Sequence, residues 1–139
     1  MPAGTYTDLL SQGKWLLAKV RVYIVDEHEP VRLALADRLN DAAEIKVLGH
    51  SGHADEALTE IRRTPPDVVL IEVKRSDGLG LEVLRQVAEL PNAPKVLVLT
   101  TYPTEWEAKA ATRAGAYSYL LKDIDPEVLI HQIVELASV

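Results

Sequence analysis

The sequence predicts an α/β fold in which five parallel strands form a doubly wound sheet with helices on both faces. Three observations carry this. Short apolar, β-branched runs alternate with segments of helical periodicity, five times over. Several runs are apolar without alternation, as in strands covered on both faces. Each helix leads directly into the next strand, and right-handed crossovers then build the sheet.

The elements follow in order. VRVYIV at 20–25 is the first strand. Residues 30–40 form a helix, with Val31, Leu35 and Leu39 on one face. A short strand spans 45–48, and a helix at 55–63 carries Ala57, Leu58 and Ile61 before Pro65 and Pro66 end it. The third strand is 68–73, apolar except for Glu72. A helix at 81–90 is closed by Pro91, and a strand follows at 96–99. The fourth helix, 105–114, ends at Gly115 as C-cap, and the fifth strand is 117–121. The last helix, 126–137, has Asp125 as N-cap and Pro126 at its first position. Residues 1–19 read as a separate N-terminal extension, where Leu9, Leu10, Leu16 and Leu17 either pack locally or dock on a partner, and residues 20–139 read as the domain.

The chain has 139 residues and a formal net charge of −6, which disfavours a broad nucleic-acid-binding face. It has no cysteine, hence no disulfide, thiolate zinc site or Cys nucleophile. No apolar run is long enough to cross a membrane and no signal peptide is evident, so the expected location is the cytoplasm.

Ligand sites of such sheets lie beyond the carboxyl ends of the strands. Those ends present Asp26 and Glu27, then Glu72, then Thr100 and Thr101, then Lys122 and Asp123. Carboxylates that close need neutralising, by a divalent cation, by Lys122 or by a raised pKa. An oxygen-rich site of this kind suits Mg²⁺, and a hydroxyl with an ammonium suits phosphoryl oxygens. The four histidines are scattered; His50 and His53 have poor ligand spacing. DGLGLE at 77–82 lacks the spacing of a phosphate-binding loop and reads as a turn. DEHEP after the first strand is acidic, which argues against a cofactor binder of flavodoxin type.

VYIVDEHEPVR (22–32), PDVVLIEVKRSDGLGLEVLR (66–85), KVLVLTTY (95–102) and AGAYSYLLKD (114–123) together resemble the receiver domain of bacterial two-component response regulators, in the style usually joined to a helix-turn-helix output domain. The resemblance implies a flavodoxin-like strand order 2-1-3-4-5. It gives Asp26 and Glu27 the place of the Mg²⁺-holding acidic pair, where the family usually has Asp at the second position. Thr100 matches the hydroxyl that turns toward the phosphoryl group, Lys122 its lysine partner and Tyr119 the aromatic switch.

Glu72 stands where the family carries its phosphoaccepting Asp, and Arg75-Ser76 replaces the usual Met-Pro. Glu is one methylene longer, and about 1 Å of misplacement costs in-line transfer about 100-fold. The expectation is an atypical receiver and not an enzyme: Glu72 reaches Lys122, with Thr100 as a second candidate contact, and imitates part of the phosphorylated state, and Mg²⁺ at Asp26, Glu27 and Glu72 is weak or lost. Arg75 either turns toward Asp26 or Glu27 in place of the metal, or lies solvated on the loop. The resemblance also implies an output face of the fourth helix, fifth strand and fifth helix, with Trp106, Lys109, Arg113 and Tyr117 contacting a second copy or a partner. Trp106 is either such an anchor or a partly buried cover of its helix. The alternative is a receiver that takes phosphate from a histidine kinase on a non-standard residue; Asp67 and Asp77 are poorly placed for it. DNA would be contacted only through a separate output domain. Both a stand-alone receiver and a fragment of a transcription regulator fit the sequence.

Overall fold

The computed structural model describes residues 19–139; the readings of Leu9, Leu10, Leu16 and Leu17 lie outside them. The elements run β1 (Val20–Val25), α1 (Glu29–Asn40), β2 (Ile45–Ser51), α2 (Ala54–Arg63), β3 (Val68–Ile71), α3 (Gly80–Ala88), β4 (Lys95–Thr100), α4 (Glu105–Ala114), β5 (Ser118–Leu121) and α5 (Pro126–Ala137). All strands are parallel, in the order β2-β1-β3-β4-β5.

Strand side chains alternate between the faces, and each face has its own core. Val22, Ile24, Leu70 and Leu97 pack with Leu39 of α1 and Ile133 of α5. Tyr23, Val25, Ile71 and Val98 pack with α2, α3 and Ala111 of α4. Continuous apolar strands are thus what a sheet sandwiched between helices requires. Caps follow the expected chemistry: Asp125 accepts the Glu127 amide at 2.8 Å, and Gly115 closes α4 at φ 119°.

Two boundaries differ from expectation in ways that shape the site. β3 ends at Ile71, short of the expected 73. The Glu72 amide still donates to Val25 O at 3.0 Å, but its carboxylate accepts the Lys74 amide at 3.1 Å. That local turn competes with the ladder and lifts the chain off the sheet. α3 begins at Gly80, one residue before the expected start. Glycine propagates helices poorly, which favours a later start. Its lack of a side chain is needed here, because a Cβ at Gly80 would lie 1.8 Å from Val73 O.

Candidate functional site

Parallel register gathers the strand ends. Val25 pairs with Ile71, so Asp26 and Glu72 leave neighbouring strands side by side. Thr100 pairs with Leu121, and Lys122 follows at once. Asp26 and Glu72 are each 3% exposed and Thr100 is fully buried. A buried carboxylate is costly unless paired and hydrogen-bonded. Here both are. Lys122 Nζ lies 2.6 Å from Asp26 Oδ2 and 3.2 Å from Glu72 Oε1. Asp26 Oδ1 accepts the His28 amide at 2.9 Å, with His28 Nδ1 3.2 Å away. Glu72 Oε2 takes the Lys74 amide. The structure therefore brings Asp26, Glu72 and Lys122 together, and Glu72 meets Lys122 rather than Thr100.

Glu27 is held elsewhere. Its two oxygens accept the Ser76 amide and the Ser76 hydroxyl, each at 2.6 Å. The Ser76 hydroxyl first, and then its amide, hold the Glu27 carboxyl below the usual range. A proline at position 76 would have neither donor.

Arg75 corrects both readings of it. It is not solvated, since its side chain is 3% exposed, and it makes no hydrogen bond to Asp26 or Glu27. Its Nη2 donates to Gly52 O and to Asp77 Oδ2, both at 2.9 Å, and Nε donates to Asp77 Oδ1 at 3.1 Å. Two residues beyond it, Asp77 supplies a carboxylate that folds the guanidinium back against the loop after β2. Nη1 is buried without a partner among the described residues. Asp67 lies at the opposite end of the sheet, bound to Arg21 at 3.1 Å.

Sequence reasoning missed Lys74 and Glu107. Lys74 Nζ donates to Thr100 Oγ1 at 3.0 Å, to Tyr102 O at 2.5 Å and to Glu107 Oε1 at 2.9 Å. Glu107 Oε1 also accepts the Tyr119 hydroxyl at 2.6 Å. Burial, and then the bond to Glu107, push the Tyr119 hydroxyl up to about 12. The signal for Glu107 was present: Thr104-x-x-Glu107 has capping-box spacing, which places the Glu on the first turn of α4, beside the strand ends. The Thr104 hydroxyl indeed accepts the Glu107 amide.

The expected interface residues lie on the surface. Trp106 is 69% exposed, so it is not the partly buried cover of its helix. Tyr117 is exposed beneath Lys95, whose Nζ is 5.5 Å from its ring centre. Lys109 pairs with Glu105 at 2.8 Å, and Arg113 is exposed.

A divalent cation needs several oxygens free to turn toward one point. Asp26 and Glu72 share the Lys122 ammonium, and Glu27 is taken at both oxygens by Ser76. Among the described residues, no group of three or more His, Asp or Glu side chains is arranged to hold a metal ion. The donor set in this arrangement does not fit Mg²⁺. None of the described helices is long and apolar enough to cross a membrane.

Comparison with known proteins agrees with this architecture. The family model described as the response regulator receiver domain matches residues 22–134. The DNA-binding transcriptional activator DevR/DosR of Mycobacterium tuberculosis is 36% identical over 105 residues, covering 76% of this chain and 48% of that protein. The transcriptional regulatory protein YxjL of Bacillus subtilis is 35% identical over 116 residues, covering 83% and 53%. The chain thus spans about half the length of these relatives. The receiver domain of the response regulator NarL from Mycobacterium tuberculosis superposes with a TM-score of 0.79 at 27% identity, covering 87% of this chain and 98% of that one.

Proposed function

This chain belongs to the response regulator receiver domain family of two-component systems, and from that premise we propose that it signals without conventional aspartyl phosphorylation. One observation carries the reading: the buried carboxylate at the acceptor position, Glu72, is bonded at both oxygens by this chain's own donors, the Lys122 ammonium and the Lys74 amide. Phosphoryl transfer needs a carboxylate oxygen free for in-line attack and cationic groups free for the phosphoryl oxygens. Lys122 is engaged by Asp26 and Glu72, and Thr100 by Lys74. Receivers of this family generally hold Mg²⁺ beside the phosphorylated residue; in this chain Asp26 and Glu72 share the Lys122 ammonium and Glu27 is held by Ser76.

The module then acts as a binding unit and not as an enzyme. Its equilibrium between output states is biased by Glu72 and by whatever binds the face formed by α4, β5 and α5, where Trp106 is the largest exposed side chain. A second copy or a partner protein is the natural occupant. DNA is reached through a separate output domain, in keeping with the DNA-binding activity of the relative DevR/DosR, and the setting is the cytoplasm.

Intact-mass spectrometry after incubation with acetyl phosphate and Mg²⁺ tests this, beside a Glu72→Asp variant. The natural chain is expected to keep its mass, and the variant, shorter by one methylene, to gain one phosphoryl group. A phosphoryl group on the natural chain within minutes would overturn the proposal.

A further inference from the structure

We propose that Lys74 is a positioning residue that ties the pocket to the output face, doing with a fixed ammonium what a transferable phosphoryl group does elsewhere. The inference rests on the phosphate-independent reading above and adds the residue through which the output state is set.

The Lys74 ammonium has three N–H donors, and all three are used on different segments: Thr100 at the end of β4, the Tyr102 carbonyl in the loop after it, and Glu107 in α4. The backbone amide of the same residue is bonded to Glu72. Glu107 is 8% exposed and therefore needs a cation, and its Oε1 receives both Lys74 and the Tyr119 hydroxyl. Among the described residues, the hydrogen bonds that join Glu72 to Tyr119 run through Lys74 and Glu107; Thr100 and Tyr119 do not bond each other. Tyr119 is also tied to the N-terminus of α4 by the Thr104 amide at 3.3 Å, and Lys74 is the residue that joins this Tyr119–α4 pair to the loop after β3. Divergent donors on a flexible stem suit these three acceptors, and the planar fork of an arginine would not.

NMR on the 139-residue chain tests the assignment, with Lys74→Met and Glu107→Gln as single and double variants. Glutamine keeps an acceptor for the Tyr119 hydroxyl but loses the ion pair, and it keeps the test open if Lys74→Met does not fold. In either single variant the Tyr119 ring signals are expected to shift or broaden. Amides of Thr101, Tyr102 and residues 104–107 are expected to exchange about tenfold faster, the ratio carried by one charge-assisted bond, while those of β1 and β3 stay as they were. The double variant is expected to change no more than the stronger single one, because both cut the same path. Unaltered Tyr119 signals in both single variants, or changes spread evenly over the sheet, would refute the role of Lys74. Acetyl phosphate treatment of the natural chain, read by mass, separates the two proposals: a phosphoryl group there removes the phosphate-independent reading, whereas an unmodified chain with indifferent variants removes only Lys74.

Discussion

At the scale of single residues, the pocket's carboxylates are held by groups of the chain itself. Ser76 is the clearest case. Its hydroxyl and amide hold Glu27 as a charged carboxylate and lower its pKa from the ordinary 4.5. A carboxylate whose folded pKa is depressed adds stability that is complete above the unfolded value and is lost as pH falls through the folded one. Ser76→Ala removes the hydroxyl, the larger of the two influences, and leaves the amide. The urea midpoint of the natural chain is therefore expected to fall more between about pH 6 and about pH 3 than that of Ser76→Ala. Parallel curves would show that the hydroxyl does not stabilise the charged form. Asp26, Glu72, Thr100 and Lys122 were legible in the sequence because parallel strands must place their carboxyl ends together. Lys74 and Arg75 were not, because their directions follow from the turn after β3, and one backbone rotation separates an inward side chain from a solvated one.

At the scale of elements, the loop between β3 and α3 depends on two glycines for different reasons. Gly80 packs against the backbone of Val73, and a Cβ there would lie 1.8 Å from the carbonyl oxygen. Gly78 has no atom within 4 Å of its would-be Cβ, but it sits at φ 73°. Gly80→Ala is expected to cost about 3 kcal/mol or more, because the clash is with backbone. Gly78→Ala is expected to cost about 1 kcal/mol, the penalty of left-handed backbone alone. Chemical denaturation measures both, and equal costs would mean that the loop can move aside. Strand and helix order were readable from the alternation of apolar runs with amphipathic segments. The ends of β3 and α3 were not, since a carboxylate-to-amide turn and a backbone contact across a loop leave no periodic trace.

At the scale of the whole molecule, two cores share one sheet, and the pocket sits where that sheet ends. The α1 and α5 face and the α2, α3 and α4 face each bury their own strand side chains. The path through Lys74, Glu107 and Tyr119 runs at the edge of the second core, where Tyr119 packs. These bonds join the pocket to α4 and β5, and under the proposed function the engagement of Glu72 with Lys122 closes that route to phosphate.

The most direct measurement is an amide NMR titration of the natural chain with beryllofluoride and Mg²⁺, which together mimic a phosphoryl group on a receptive carboxylate. A pocket whose carboxylates are already engaged by the Lys122 ammonium, the Lys74 amide and Ser76 leaves Thr100, α4 and β5 unshifted at millimolar reagent. A saturable shift of Thr100, Tyr119 and the first turn of α4 would contradict the phosphate-independent reading at its centre.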